Sequence, residues 1–246
     1  MNVKVKTAVI LAAGLGSRLK EITRDKPKGF IVLGEGPLIE QSVRKLEAVG
    51  IERIIIGTGY LADQFKRLSE RWPGIECIKN EKFADTGSMY TLYNLRERIA
   101  EDFLLLESDL LYDLNGLRQL LSGEQKDIIL SSDRTDAGDG VYIEVDQERN
   151  LVNMSKEPAK LKNIYSELVG ITKISRSLFN LMCRYAEQQF PLKPTLDYEY
   201  VLVGVSGEAK IFVNKMDDYA WCEIDDEDHL RRAKEVVLPK IKEREK

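Results

Sequence analysis

Glycine and basic residues near the start of the chain have the types and spacing of a phosphate-binding site. The apolar run Val5 to Leu11 leads into Gly14 and Gly16. A buried strand followed by glycines leaves backbone N–H groups free at the carboxyl edge of a sheet, where anionic ligands bind. Arg18 then offers a planar fork for phosphate oxygens, and Lys28 supplies a compact positive charge. We expect this stretch to bind a phosphate-bearing ligand.

The same glycine pair is compatible with two other interpretations. Dinucleotide-binding folds need a third glycine at the head of a helix and an acidic residue about 20 positions later. Leu19 stands at that third position, and the residues after it are rich in Arg, Lys and Pro, which disfavours a dehydrogenase. A loop that contains glycine only in order to turn stays open as the second alternative.

Acidic residues in two distant segments have the chemistry needed to bind a divalent cation. Asp109 follows the apolar run in LLLESDLLYD, which places it at the same sheet edge as the glycines. In WCEIDDEDH, Glu223 and Asp225 alternate, and an extended backbone would turn both to one side. Together with Asp109 they can hold a hard ion that also binds phosphate oxygens. Ordinary surface acidity is the alternative for each of them.

Alternating strands and helices must position these residues. Up to Asp109, short apolar runs alternate with helical patterns of about a dozen residues, which predicts βαβ units and a parallel sheet. Shorter stretches follow, and these suggest antiparallel additions to the sheet. The predicted fold is α/β, a Rossmann-like three-layer sandwich with a mostly parallel mixed sheet. We expect one domain over residues 1–246.

Three elements are predicted with definite first and last residues: one helix in the first half of the chain, and a strand and a helix in the second. A helix is expected over 88–99, a strand over 209–213 and a charged helix over 226–238, which Pro239 should kink or end. His229, the only histidine, lies at the start of that charged helix. We expect it at the surface, with no role as a general base.

Bulk composition excludes several classes of protein. The 246 residues are 43% apolar and 32% charged, which is ordinary for a soluble globular protein. A net charge of −4 argues against nucleic-acid binding, because that needs a clustered positive surface. The three widely spaced cysteines indicate neither a C-x-x-C metal site nor a disulfide framework, so we expect a cytoplasmic location. No apolar run reaches the ~18 residues of a membrane span.

The ordered motifs A-A-G-x-G-x-R-L, P-K and P-L-I resemble the nucleotidyltransferases that activate small phosphates with an NTP. The resemblance runs from about Val5 to the final helix. It implies catalytic roles for Arg18 and Lys28. It implies Mg²⁺ as the cofactor, held by Asp109, Glu223 and Asp225. Further residues with implied nucleotide contacts are Leu11, Ala12, Ala13, Gly14, Gly16 and Glu107.

Two later motifs, NEKFADTGSMYTLYNLR and W-x-E-I-D-x-x-D, resemble the cytidylyltransferases for phosphocholine and 2-aminoethylphosphonate. In that family the loop before the helix contacts the pyrimidine, which implies base and ribose contacts for Thr86, Gly87 and Ser88. The sequence departs from the choline-type pattern here, which has two asparagines where Gly87 and Ser88 stand. Residues 1–113 then form a nucleotide-binding half. Residues 114–246 are expected to form the acceptor-binding half and to supply the later metal ligands, Glu223 and Asp225.

Charged residues of the second half bear on the acceptor. A trimethylammonium group calls for an aromatic cage, whereas a primary ammonium has three N–H donors and favours carboxylates. Asp197 falls where the choline enzymes carry an aromatic residue, and Asp136 and Asp139 fall where they carry a tryptophan. This favours a primary amine. The other implied acceptor contacts are Lys156, similar to the lysine of a Glu-Lys-Pro motif, and Tyr198 and Glu199.

The expected reaction is transfer of CMP from CTP to 2-aminoethylphosphonate, with release of pyrophosphate. The partners are therefore CTP and a small aminoalkyl phosphonate or phosphate, with no nucleic acid or membrane and with a homodimer left open. Phosphocholine or phosphoethanolamine is the nearest alternative acceptor. More distant alternatives are a sugar-1-phosphate nucleotidyltransferase and a noncatalytic nucleotide-binding regulator.

Overall fold

A computed structural model describes residues 5–135, 137–138 and 140–245. Asp136 and Asp139, predicted to contact the acceptor, lie outside the described residues. The strands are β1 Thr7–Ala12, β2 Val32–Leu33, β3 Gly36–Pro37, β4 Arg53–Thr58, β5 Ile75–Lys79, β6 Phe103–Glu107, β7 Leu110–Tyr112, β8 Ile128–Ser132, β9 Tyr142–Val145, β10 Leu151–Ser155, β11 Ser166–Ile174, β12 Phe212–Met216 and β13 Trp221–Glu223. The α-helices are α1 Leu38–Ala48, α2 Asp63–Arg71, α3 Ser88–Asn94, α4 Asn115–Ser122, α5 Arg176–Gln189, α6 Tyr198–Val205, α7 Glu227–Arg232 and α8 Leu238–Arg244.

A nine-stranded mixed sheet forms the centre of the fold. Strands β6, β1, β4 and β5 are parallel neighbours. Strand β11 pairs antiparallel with β6, β8 and β9, and β10 continues the sheet beyond β9. Strand β12 runs parallel to β8. The predicted α/β class with a mostly parallel mixed sheet is confirmed.

Helices cover both faces of the sheet, as the alternation of side chains along β1 requires. Val9 and Leu11 pack into one core with apolar residues of α3, α5 and α6. Ala8, Ile10 and Ala12 pack into a second core with residues of α1, α2 and α4. Strand β1 is buried along its whole length. The first parallel strand is thus fixed from both sides, and its carboxyl end is where the glycine loop begins.

A two-stranded ribbon joins distant parts of the chain beside the sheet. Strands β7 and β13 pair antiparallel, with Trp221 opposite Tyr112 and Glu223 opposite Leu110. The pairing extends beyond the ribbon at one end, where the Ile224 N–H donates to the Asp109 carbonyl at 3.0 Å. The acidic segments predicted near residues 109 and 223 therefore lie side by side.

Two predicted elements differ from the structure, and one helix was not predicted. Helix α3 ends at Asn94, and turns replace the rest of the predicted 88–99 helix. Strand β12 begins at Phe212 rather than at 209, because the chain from helix α6 still makes a turn there, with Ala209 N–H donating to Val205. Helix α6 itself was not predicted. Its apolar, β-branched sequence YVLVGV has no clear helical spacing, and burial in the core decides its structure.

The last helix continues through Pro239 instead of ending there. A π-helical segment, Ala233–Val237, links α7 to α8. Pro239 thus occupies the first turn of α8, where a missing N–H costs little. No helix among the described residues is both long and apolar enough to cross a bilayer.

Candidate active site

The glycine loop connects β1 to a short 3₁₀ helix, Ser17–Ile22, at the carboxyl end of the parallel strands. Gly16 has a φ of +65°, and a Cβ there would lie 3.0 Å from Cγ of Lys28. Thr23 Oγ1 donates to the Gly16 carbonyl at 2.8 Å. At Gly14 a Cβ would meet nothing within 4 Å. The loop is therefore packed against Lys28 on one side and open to a cleft on the other.

Lys28 and Arg18 converge on one carboxylate, Asp225. Lys28 Nζ contacts Asp225 Oδ1 and lies 3.0 Å from Asp109 Oδ2, while Arg18 Nη2 lies 2.6 Å from Asp225 Oδ2. Burial lowers the pKa of Lys28, but the two carboxylates outweigh burial and raise it above the ordinary value. Burial raises the pKa of Asp225, whereas Lys28 and Arg18 bring it to about 2. Both partners are therefore charged at neutral pH.

A second carboxylate cluster, Glu107, Asp109 and Glu223, lies beside this ion pair. Ligand atoms of the three side chains lie within 4.8 Å of one another. Burial, followed by the charge of Asp109, raises the pKa of Glu107 to about 8. Burial and the charges of Glu107 and Asp109 also raise the pKa of Glu223 well above its ordinary value. Ionising all three carboxylates together is therefore costly unless a positive charge lies among them.

This cluster fits a hard divalent cation such as Mg²⁺. All three donors are carboxylates, the ligand type that Mg²⁺ prefers, and a cation would offset the burial and the repulsion that raise the two pKa values. Two predicted ligands, Asp109 and Glu223, belong to it. Glu107, predicted as a nucleotide contact, is its third member. Asp225 is paired with Arg18 and Lys28 instead, so its role as a metal ligand stays a prediction.

A cleft of about 330 Å³ brings most of the predicted nucleotide and acceptor residues together. It begins at the glycine loop and extends past Lys28 and Asp109 to the start of α6. The predicted residues that line it are Leu11, Ala12, Ala13, Gly14, Gly16, Lys28, Thr86, Gly87, Ser88, Glu107, Asp109, Lys156, Asp197, Tyr198 and Glu199. Sequence reasoning missed Phe83, Thr91 and Ser108, which also line it.

The predicted base-reading loop packs tightly against the chain before α6. A Cβ on Gly87 would lie 2.4 Å from the Leu196 carbonyl oxygen, so only glycine fits there. Asp197 Oδ1 accepts hydrogen bonds from both the Ser88 N–H and the Ser88 hydroxyl, each at 3.1 Å. The Thr86 hydroxyl donates to the Lys82 carbonyl at 2.7 Å. Asp197 therefore holds the start of α3, a role that sequence reasoning did not predict for it.

A smaller pocket of about 80 Å³ adjoins the cleft and shares Glu107, Lys156 and Glu199 with it. Glu199 is 8% exposed, and burial, followed by the charge of Asp197, raises its pKa to about 7. The Tyr198 hydroxyl donates to Glu107 at 2.7 Å. Lys156 lies in the exposed turn after β10. This acidic pocket is rich in carboxylates, since the buried Glu167 and the half-buried Glu223 also line it.

Two residues of the acidic pocket were missed or misplaced by sequence reasoning. Glu167 is 1% exposed and binds Thr135 through both the N–H, at 2.6 Å, and the hydroxyl, at 2.7 Å. A glutamate inside the apolar run SELVGITKI was the available signal. The prediction that His229 lies at the surface is wrong: it is 4% exposed. Its Nδ1 accepts from the Asp225 N–H at 3.4 Å, and its Nε2 lies 3.2 Å from the Ala137 carbonyl.

The chain is similar to two groups of curated cytidylyltransferases. It is 41% identical over 98 residues to choline-phosphate cytidylyltransferase of Streptococcus pneumoniae, a match that covers 40% of this chain and 42% of that protein. It is 35% identical over 92 residues to 2-aminoethylphosphonate cytidylyltransferase of Lancefieldella rimae, covering 37% of each. The matched segments thus span less than half the length of these relatives.

The fold and the family of the chain also match known proteins. The solved structure of CTP:phosphocholine cytidylyltransferase from Streptococcus pneumoniae superimposes with a TM-score of 0.79 at 23% identity, covering 95% of this chain and 99% of that one. At that identity the likeness concerns the fold alone. Residues 8–171 match the family model described as the MobA-like NTP transferase domain, which is more than half of the chain. The chain therefore belongs to the family of MobA-like NTP transferase domains.

Proposed function

We propose that the protein is a cytidylyltransferase that transfers CMP from CTP to 2-aminoethylphosphonate and releases pyrophosphate. The observation that carries this proposal is the continuity of one cleft from the glycine loop, past Lys28 and the carboxylate cluster, into an acidic pocket. The cleft has room for a nucleotide at one end. At the other end, the acidic pocket of about 80 Å³ is of a size that suits a short acceptor.

The chain's own residues would bind and orient the triphosphate. Backbone N–H groups of the open Gly14 segment would donate to phosphate oxygens. Arg18 and Lys28 would exchange Asp225 for the phosphates and neutralise the charge that builds up on them. An acceptor oxyanion would form a bond to the α-phosphorus as the bond to pyrophosphate breaks. Positioning and charge neutralisation account for catalysis in such transfers.

Glu107, Asp109 and Glu223 would hold a divalent cation beside the α-phosphate. Such an ion supplies Lewis-acid charge stabilisation when it is bound. The proposed reaction needs no general base, because a phosphonate is already anionic at neutral pH. The buried His229, which is hydrogen-bonded to two backbone groups, accords with this.

Buried carboxylates of the acidic pocket support a primary amine as the acceptor's other end. Asp197 cannot carry that argument by itself, since its Oδ1 already binds Ser88. Glu199 takes this role in our proposal, because it is buried next to Lys156, which could bind the phosphonate. A primary ammonium would donate to Glu199 and lower its raised pKa.

Phosphocholine is the second candidate acceptor. The match to choline-phosphate cytidylyltransferase favours it, and Trp221 lines the acidic pocket, where an aromatic ring could face a trimethylammonium group. Against it, the pocket offers one such aromatic side chain among several carboxylates in the part of the chain that the structure describes. The two candidates share the chemistry at phosphorus and differ only at the amine.

The test is pyrophosphate release with Mg²⁺, each of the four common NTPs and each of three acceptors: 2-aminoethylphosphonate, phosphoethanolamine and phosphocholine. We expect the highest kcat/KM for CTP with 2-aminoethylphosphonate, and loss of turnover on chelation of the metal. A higher kcat/KM with phosphocholine would overturn the choice of acceptor. No release with any pair would overturn the enzymatic proposal and favour a noncatalytic nucleotide-binding regulator.

A further inference from the structure

A second cavity of about 380 Å³ lies between α1, the start of α4 and α8. Among the residues that the structure describes, it shares no lining residue with the cleft or with the acidic pocket. Basic side chains outnumber acidic ones in its lining, five to three. The basic residues are Arg44, Lys45, Arg118, Lys242 and Arg244, and the acidic ones are Glu35, Asp113 and Glu245. The back cavity, as we call it, therefore favours a ligand with negative charge.

Lys45 is the most enclosed cation of the back cavity. Its side chain is 14% exposed, its Nζ donates to the Tyr112 carbonyl and it lies 3.4 Å from Glu245. Burial lowers the pKa of Lys45, and Glu245 compensates only in part. An anionic group beside this ammonium would replace the hydration that burial removes. Arg44 of α1 and Arg118 of α4 are exposed and line the same cavity, where Arg44 pairs with Glu40 at 3.1 Å and Arg118 donates to Asn115 at 3.0 Å.

Asp113 also lines the back cavity. The residue is 1% exposed, and its Oδ1 accepts from the Asn115 N–H at 2.8 Å. Its Oδ2 has no hydrogen-bond partner among the described residues, although Arg244 Nη1 lies 3.7 Å away. Buried carboxylate oxygens in native proteins are nearly always hydrogen-bonded. A ligand with an N–H donor would satisfy this one.

The remaining walls of the back cavity are apolar. Leu114, Leu238 and Ile241 line it, and Ile241 is 3% exposed. The volume is far larger than a phosphate ion needs, and a flat ring could pack against these side chains. We infer that the back cavity binds a nucleoside monophosphate whose base carries an exocyclic amino group. The phosphate lies among the basic side chains, the base packs on the apolar wall and the amino group donates to Asp113.

Backbone-amide NMR with CMP as the probe tests this inference separately from the proposed active site. The amides of Asn115 and Ile241 report on the back cavity, and those of Gly14 and Gly16 report on the cleft. We expect CMP to shift the first pair in a saturable way, whatever happens at the second. Shifts confined to Gly14 and Gly16 would overturn the inference. So would equal affinity of inorganic phosphate at the Asn115 amide.

Substitutions on exposed residues supply the controls. The double variant Arg44→Glu, Arg118→Glu should weaken CMP binding at the back cavity by about tenfold or more, because two charge-assisted contacts are lost. The matched change Arg67→Glu, on exposed α2, should leave it unchanged. Cavity binding that persists in the double variant would contradict the inference.

The role of Asp113 has its own readout. Cytosine carries an amino donor where uracil carries a carbonyl acceptor. CMP should therefore bind more tightly than UMP to the wild-type back cavity, and Asp113→Asn should remove this difference while keeping the bond from the Asn115 N–H. Equal affinities of CMP and UMP in the wild type would overturn the role given to Oδ2.

Discussion

Lys28 lies between two carboxylates, and its position defines what it can do. It contacts Asp225 and Asp109, and Gly16 packs against its stem. In the proposed reaction, it passes from Asp225 to the triphosphate. A lysine placed in this way stabilises charge that develops in the transition state. When no nucleotide is bound, Lys28 forms ion pairs with Asp109 and Asp225 through the same contacts.

Lys28→Ala should lower kcat by about 10²-fold to 10³-fold, the usual effect of removing one group that stabilises transition-state charge. Steady-state pyrophosphate release measures this change, and circular dichroism checks that the variant is folded. The matched control is Lys66→Ala, an exposed lysine of α2 paired with Asp63, which should leave kcat unchanged. Near-normal turnover of the Lys28 variant would remove this residue from the mechanism.

Glu199, the acceptor contact in our proposal, should reduce stability at neutral and higher pH. Its pKa is about 7 in the folded protein against 4.5 for the ordinary value, so the folded state holds the proton more tightly than the unfolded state. Its contribution to the free energy of unfolding is therefore fully present below pH 4.5 and is lost as the pH rises to about 7.

Glu199→Gln should thus raise the free energy of unfolding at pH 8 relative to the wild type, by up to about 3 kcal/mol. The gain should vanish near pH 4. Urea denaturation at the two pH values measures it. The same variant should raise KM for the amine-bearing acceptor, because a neutral amide replaces the carboxylate. Glu208→Gln, on an exposed turn, is the control and should change neither quantity. An unchanged KM would contradict the acceptor role.

At the scale of elements, the first half of the fold was predictable because its signals are local. An apolar β-branched run followed by glycines predicts β1 and its loop, and the structure has both. Pairing sets the limits of other elements, as at β12, which begins where it can align with Ile128 of β8. Helix α6 and the burial of His229 depend on contacts made far along the chain. Such contacts leave no periodic pattern in the sequence.

The candidate site likewise has a part that could be predicted from the sequence and a part that could not. Residue types suited to phosphate and metal binding were identifiable from their spacing, and Asp109 and Glu223 do lie together. Which carboxylate pairs with which cation was not predictable. Glu107 ends β6, whereas Asp225 lies two residues beyond the end of β13, and Gly170 of β11 packs against Glu107. Gly170 has a φ of +85°, and a Cβ there would lie 3.1 Å from the Glu107 carboxyl carbon.

Gly87→Ala tests the contact between the start of α3 and the chain before α6. Its Cβ would meet the Leu196 carbonyl oxygen at 2.4 Å, so the two segments must separate. We expect the free energy of unfolding to fall by about 1–3 kcal/mol and CTP to bind more weakly. Thermal unfolding and calorimetric titration with CTP measure these effects. Gly207→Ala, where a Cβ meets nothing within 4 Å, should be tolerated, and equal effects of both changes would contradict the packing argument.

At the scale of the whole molecule, the sheet ties the two predicted halves of the chain together. Strand β11 from the second half pairs with β6 from the first, and β13 pairs with β7. The carboxylates Glu107 and Glu223 come from opposite halves of the chain and meet in one cluster. Neither half can therefore complete the sheet or the proposed metal site by itself. A single domain over residues 1–246, with these halves, remains our proposal.

If the chain is one domain, both halves should unfold in a single cooperative transition. The two tryptophans report on them separately: Trp72 follows α2 in the first half, and Trp221 lies in β13 of the second. In the single-tryptophan variants Trp72→Phe and Trp221→Phe, urea unfolding followed by fluorescence and by far-ultraviolet circular dichroism should give the same midpoint within each variant. Loss of the bond from Trp221 Nε1 to Ser132, 2.7 Å long, should lower the midpoint of Trp221→Phe as a whole. A fluorescence midpoint that departs from the dichroism midpoint in either variant would show that the halves unfold independently, because each probe would then follow its own transition.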